Sequence, residues 1–245
     1  MKQYEAVILT LEKLGGIATL GQLNQEVFKI KDCEWKTKTP FASIRRIVQM
    51  NKDIYKIKPG LYGLLSHKKQ NEAKGIFEET VENKDSKEVA EFNHSYYQGL
   101  ILTIGNLKKF QTFLPNQDKN KFFLNERLGD LSTLSKIPAY SYENLVHRSS
   151  TIDVVWFNER LMPHSFFEVE HSTDIQNSLL KFNDLQDFYS RMFIVADKIR
   201  KEEFEKKRNY AALKDIQARV QFLDYELLTK QYEQIIESVK FTVLI

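Results

Sequence analysis

The chain has 245 residues, 42% hydrophobic and 12% aromatic, enough for one large or two modest cores and too much apolar material for a disordered chain. The net charge is only +3, but residues 1–66 hold eleven basic against six acidic side chains, which places the basic surplus at the N-terminus. The single Cys33 excludes an intrachain disulfide and disfavours a cysteine-based zinc site. No apolar run nears the ~20 residues of a membrane span, and the start Met1-Lys2-Gln3-Tyr4-Glu5 lacks the apolar core of a signal peptide, so a reducing, cytoplasmic setting without a membrane partner is expected.

Residues 2–14 place Ala6, Val7, Leu9, Leu11 and Leu14 largely on one helical face, and Gly15-Gly16 stops that helix. Thr19 is placed to cap a second helix carrying Leu20, Leu23, Val27 and Phe28. Thr39-Pro40 supplies a cap and first-turn pair for a third, Phe41 to Gln49. Ile54 to Lys58, the turn Pro59-Gly60 and Leu61 to Leu65 then predict a small hairpin. Three helices and a hairpin make a winged helix-turn-helix, expected over residues 1–66, whose third helix would enter the DNA major groove. Arg45 and Arg46 on that helix, with Lys36, Lys38, Lys56 and Lys58 nearby, are the expected phosphate contacts.

Residues 67–91 are polar and of mixed charge and predict a solvated helical linker. From residue 92 to 245 the pattern predicts an α/β domain with helices covering a mixed sheet. A helix is expected over 92–107, a strand from Phe110 to Leu114 and a polar loop over 116–130. A hairpin follows, then a helix capped by Thr173. Met192 to Ala196 is apolar throughout, as in a central strand. A charged helix from Lys198 to Tyr210, a strand from Arg219 to Leu223 and a helix from Glu226 to Val239 complete the chain.

The hairpin carries the chemistry. Its arms are Ile152-Asp153-Val154-Val155-Trp156-Phe157 and Ser165-Phe166-Phe167-Glu168-Val169-Glu170. Centred between Arg160 and Leu161, it sets Asp153 opposite Glu168, and strand alternation puts Glu170 on the face of Glu168. Three carboxylates among Val, Phe and Trp repel one another and are costly to desolvate, and a hard divalent cation such as Mg²⁺ offsets both costs. His171 points to the other face and reads as structural. There is no Walker loop, dinucleotide glycine fingerprint or nucleophile elbow, and the five histidines have no zinc-binding spacing.

Asp153, Glu168 and Glu170 resemble the signature of the PD-(D/E)xK nucleases, an Asp on one strand and a (D/E)-x-K triplet on the next. The element order from residue 92 is similar to that superfamily's αβββαβ core, and residues 1–66 resemble the HARE-type winged helix of restriction endonucleases. The resemblance implies a restriction-endonuclease-like fold and a Mg²⁺-dependent DNA endonuclease, with Mn²⁺ as a substitute. In that reading Asp153, Glu168 and the Val169 carbonyl hold the metal, and Glu170 takes part in catalysis where the family usually has Lys. His94 and Gln98 are expected to support or pack behind these groups, Lys181 to be a solvated lysine with the phosphate as its alternative partner, and Arg148, Ser149, Ser150 and Thr151 to lie near the DNA backbone. The resemblance further implies double-stranded DNA as partner, a homodimer because both strands must be cut, and a cognate DNA methyltransferase in the same system. Glu170 keeps open a catalytically inactive DNA-binding regulator, and a nuclease acting on modified DNA or RNA is a further alternative.

Overall fold

The computed structural model describes residues 1–80, 82–83 and 86–242. The chain divides into two compact units. Residues Met1–Phe92 and Thr229–Ile245 form the first, and Asn93–Leu228 the second. The boundaries fall within two helices.

The first unit begins with α1 (Gln3–Lys13), β1 (Ile17–Thr19), α2 (Leu20–Glu26) and α3 (Pro40–Met50). Its hairpin is β2 (Ile54–Lys58) with β3 (Leu61–Leu64), and β1 pairs with β3 to complete a three-stranded sheet. The short β1, with three residues, is below the length at which alternation is readable. Thr19 caps α2 by accepting from the Gln22 amide, as expected, whereas the Thr39 side chain makes no capping bond and α3 starts on Pro40 alone. Gly60 takes φ 73° in the hairpin turn, a conformation that glycine adopts without strain. Ala6, Leu11, Leu23, Val27, Ile44 and Val48 pack into one core, with Cys33 at its edge.

In the 67–91 stretch, helix among the described residues is the end of a 3₁₀ turn (Leu65–His67), α4 (Lys68–Ala73) and the start of α5 (Lys87–Leu107), and residues 81, 84 and 85 lie outside the described residues. Asn71 is buried here and donates to the Tyr55 hydroxyl, 3.2 Å away.

The second unit holds most of α5, then β4 (Gln111–Phe113), the short pair β5 (Phe122–Phe123) and β6 (Glu126–Arg127), α6 (Leu128–Leu131) and α7 (Glu143–Ser149). The expected loop over 116–130 thus contains a small ribbon and one helical turn. Next come β7 (Val154–Phe157), β8 (Pro163–Glu170), α8 (Ile175–Asn183), β9 (Arg191–Ala196), α9 (Lys201–Arg208), β10 (Val220–Asp224) and α10 (Tyr225–Thr242).

The five-stranded sheet has the order β10-β9-β8-β7-β4. β8 runs parallel to β9 and antiparallel to β7, so the sheet is mixed and the apolar β9 is internal. This α/β architecture is compatible with a restriction-endonuclease-like fold. Phe166 on β8, Val155 and Phe157 on β7, and Ile194 and Ala196 on β9 form one apolar face with Ile175, Leu179 and Phe182 of α8. On the other face Trp156 meets Phe167 at 4.6 Å between ring centroids, and a Cβ on Gly105 of α5 would lie 2.6 Å from the Trp156 indole nitrogen. Such close approach requires glycine. Among the described residues no helix is long and apolar enough to cross a membrane.

Candidate active site

Val154 pairs with Phe167 and Val155 with Phe166, so extending the ladder by one residue sets Asp153 opposite Glu168, the register expected from the sequence. Asp153 is fixed by its backbone neighbour, the Val169 amide donating to Oδ2 at 2.7 Å. Glu168 and Glu170 continue the inward row begun by Phe166. All three carboxyl groups are buried, at 8%, 2% and 5% relative exposure.

The helix α8 supplies much of the lining because its apolar stripe sits on the same sheet face. Asp174, not Thr173, caps it by accepting from the Gln176 amide. The Thr173 hydroxyl is taken instead by Glu170. One turn into the helix, buried Ser178 donates to Glu168 Oε2 at 3.0 Å and also contacts Glu170 Oε1. Three residues on, Lys181 Nζ lies 3.0 and 2.9 Å from the two Glu168 oxygens and 3.1 Å from the Thr151 carbonyl.

The helix α5 and the turn after β4 supply the rest. His94 Nδ1 lies 3.1 Å from the Val169 carbonyl, and its Nε2 lies 3.7 Å from Asp153 Oδ1 and 3.9 Å from Asp118 Oδ2. Gln98 Nε2 donates to Asp118 Oδ2 at 2.9 Å and reaches the Asp153 carbonyl at 3.4 Å. Lys121 Nζ sits 2.6 Å from Asp118 Oδ1. Ligand atoms of His94, Asp118 and Asp153 all lie within 4.8 Å of one another, a grouping able to hold a metal ion.

The electrostatics divide the carboxylates. Burial raises the pKa of Glu168 well above the usual range, neighbouring Asp153 adds to this, and Lys181 opposes it. Burial likewise raises Asp153, against the fields of His94 and Lys181, and Glu170, against the Ser178 hydroxyl. For Lys181 burial disfavours the charge, but Glu168 outweighs it and the amine is raised above its ordinary value. Acid and amine both lean toward holding protons, which is what a cluster short of positive charge does. Asp118 behaves oppositely. Burial works against its charge, but contacts from His94, Lys121 and Gln98 outweigh it and hold the carboxyl well below the usual range. Burial also opposes a charge on His94, and Asp118 and Asp153 reverse that and raise it.

Residues 76–244 match the family model described as the type II restriction enzyme NmeDI C-terminal domain, more than half of the chain. The chain belongs to the NmeDI C-terminal-domain family. It is 27% identical over 150 residues to the type II restriction enzyme NmeDI of Neisseria meningitidis serogroup C, an alignment covering 57% of this chain and 42% of that enzyme. The chain therefore spans less than half the length of that curated relative. No solved structure matches it.

Within this NmeDI-type chain the sequence-predicted residues Asp153, Glu168, Val169, Glu170, His94, Gln98 and Lys181 come together in one place. Three further residues there were not anticipated: Asp118 from the loop, Ser178, and Arg200, whose guanidinium reaches the Glu170, His171 and Thr173 carbonyls at 3.2, 3.3 and 2.7 Å. Lys207 pairs with Glu203 at 2.7 Å across one turn of α9, as expected of a solvated charged helix. His171 stands apart, 3.3 Å from the Asn93 amide. Arg148 pairs with Asp184 at 2.7 Å, and the Ser150 and Thr151 hydroxyls turn back onto the His147 and Arg148 carbonyls. Ser149 is buried against Tyr140 and Leu145.

In the first unit Lys36, Lys38, Arg45, Arg46 and Lys56 are exposed. Lys36 pairs with Glu34 and Arg45 with Glu233, each at 3.0 Å. Lys58 departs from the expectation of a surface phosphate contact. It is 4% exposed, with its amine 3.8 Å from Glu79 and over the Phe92 ring, and burial lowers its pKa to about 8. The cause is a bulge between Lys56 and Lys58 that breaks the alternation and turns Lys58 inward.

Proposed function

We propose that the chain is a PD-(D/E)xK-type endonuclease that hydrolyses phosphodiester bonds in double-stranded DNA, as a restriction or related defence enzyme, with Mg²⁺ as the working cofactor. The observation that carries this reading is the Lys181 amine on both oxygens of buried Glu168. The triplet has Glu170 where such nucleases usually have Lys, and an ammonium brought in from α8 reaches the neighbouring carboxylate. The relation to a type II restriction enzyme supports the same reaction class.

The donor set fits a hard divalent ion. Asp153, Glu168 and the Val169 carbonyl offer only oxygen, and both carboxyl groups are buried. Bound there, the ion would polarise the phosphate and acidify water. The remaining work falls to the side chains. Lys181, held by Glu168 and the Thr151 carbonyl, stabilises charge gathering on the phosphoryl oxygens. Glu170 accepts the proton of the attacking water, and burial moves its basicity toward neutral pH. Arg200 fixes the backbone that follows the triplet.

In the same reading the first unit is a winged helix that binds the DNA backbone through Lys36, Lys38, Arg46 and Lys56, with Arg45 exchanging Glu233 for a phosphate. The enzyme works as a homodimer, and a cognate methyltransferase protects the host. Incubation with plasmid and genomic DNA in Mg²⁺ or Mn²⁺ tests the reaction. Cutting by the wild type that disappears in Glu168→Ala supports the site, and cutting that survives this change sinks it. Binding without any cutting would favour the regulatory alternative, and cutting confined to methylated DNA or to RNA the other. For the winged helix, Lys56→Ala is expected to weaken DNA binding and flatten its salt dependence by about one unit of slope. Lys58→Met should leave both unchanged.

A further inference from the structure

Within the first unit, the second half of α10 lies against the elements that a winged helix turns toward DNA. Thr229 and Glu233 meet the turn of the β2–β3 hairpin. A Cβ added to Gly60 there would stand 2.4 Å from Thr229 Cγ2 and 2.8 Å from Glu233 Oε1. The Leu20 amide donates to the Gly60 carbonyl at 2.8 Å, so the turn is held against the body of the unit. Glu233 reaches the third helix as well. Its Oε2 accepts from Arg45 Nη2 at 3.0 Å, with 13% of the Glu233 side chain exposed against 51% for Arg45.

The next turns seat the helix. The Tyr232 hydroxyl is 3.1 Å from the hydroxyl of Thr19, the cap of α2, and Asn24 of α2 donates to Glu237 Oε1 at 3.1 Å. Gly21 makes room for this approach, since its Cβ would fall 2.8 Å from Ile236 Cδ1 and 2.9 Å from Tyr232 Cε1. Tyr232 and Ile236 are buried, so apolar area fixes the helix and carries Glu233 to a set position. A carboxylate and a phosphate offer an arginine fork the same kind of charged oxygen, and the two compete for it.

We propose that the second half of α10 is a self-inhibitory strap, in which Glu233 stands in for a DNA phosphate at Arg45 and, with Thr229, covers the hairpin turn, so that duplex DNA must displace it to bind. The proposal rests on the winged-helix reading of the first unit and is independent of cleavage.

The test uses the full chain and a mixed-sequence DNA duplex in EDTA, followed by fluorescence anisotropy at low salt. Glu233→Gln should tighten binding about two- to fivefold, the worth of one half-exposed ion pair. Removing a negative charge near DNA tightens binding by itself, so the same change is also made beside Arg45→Ala. There the gain should vanish, because the pair is already broken. A gain of equal size in that background, or none in the wild type, overturns the strap. Hydrogen exchange of the unaltered chain gives an independent reading. Saturating duplex should slow exchange in α3 and speed it in residues 229–238. Slowed α3 with 229–238 unchanged or further protected overturns the strap alone. DNA binding that leaves α3 unprotected, or no binding by any variant, removes the winged-helix reading and the strap together.

Discussion

The two halves of the carboxylate cluster are built in opposite ways. Glu168, Glu170, Ser178 and Lys181 come from one strand-turn-helix stretch, whereas His94 and Asp118 arrive from α5 and a turn far along the chain, His94 meeting a carbonyl 75 residues away. The halves also differ in charge behaviour. Glu168 and Glu170 are pushed toward the protonated acid by burial, while Asp118, equally buried, is held ionised by Gln98, Lys121 and His94. The difference shows that burial alone does not set the state of a carboxyl group. Neighbouring carboxylates add to burial at Glu168 and Lys181 only opposes it, whereas at Asp118 the contacts from His94, Lys121 and Gln98 outweigh burial.

Asp153 belongs to both halves, so Asp153→Asn should have the largest effect. Cleavage is expected to fall to background with circular dichroism unchanged, because an amide oxygen can still accept from the Val169 amide. Residual cutting near the wild-type rate would mean that the halves do not depend on their shared member. Next is Lys181→Met, which removes the ammonium of the contiguous half. A loss of about 10²–10³ in single-turnover rate is expected, the cost of deleting one oriented donor to a developing charge. A loss below threefold would show that Lys181 only balances Glu168.

Glu170→Gln sharpens the comparison through stability. The folded-state pKa of Glu170 is raised, so its favourable contribution is complete below the ordinary carboxyl range and is lost as pH rises through the raised value. Without metal, the Gln variant should therefore melt higher than wild type near pH 8, by about 2–4 °C for each ~1 kcal/mol relieved. The advantage should vanish toward pH 4, and saturating Mg²⁺ should narrow it. The distal half should run the other way. Asp118 has a depressed pKa, so its contribution is present above the ordinary aspartate range and is lost as pH falls toward the folded value. The smallest effect is expected for Lys121→Met. Its side chain is 41% exposed, so removing the pair should cost at most about 1 kcal/mol in urea unfolding.

The same division explains what could be read from sequence. The β7–β8 register was legible because apolar arms flank a polar turn, and the pleat then fixes which carboxylates share a face. Lys181 read as a solvated lysine, and its contact with Glu168 was not legible because it depends on how α8 rotates against the sheet. Asp118 lay in a stretch without periodicity. Its place depends on a turn closed by its amide on the Pro115 carbonyl and on Phe123 packing where Gly99 of α5 has no side chain. The only local signal was Pro115-Asn116-Gln117-Asp118, a turn sequence after a strand. In the first unit, the inward turn of Lys58 followed from a one-residue bulge that alternation cannot anticipate.

Ser178 imposes a constraint of counting. Its hydroxyl has one hydrogen, yet its oxygen stands within bonding distance of both Glu168 and Glu170. That hydrogen is either shared between the two carboxyl groups or given to one of them, and in the second case the other contact is made by a carboxylic acid donating back to the serine oxygen. Moving that single hydrogen from one side to the other changes which glutamate is the acid and which is the base. Two glutamates separated by one residue are thereby made inequivalent, and Ser178→Ala would remove the means by which they exchange roles.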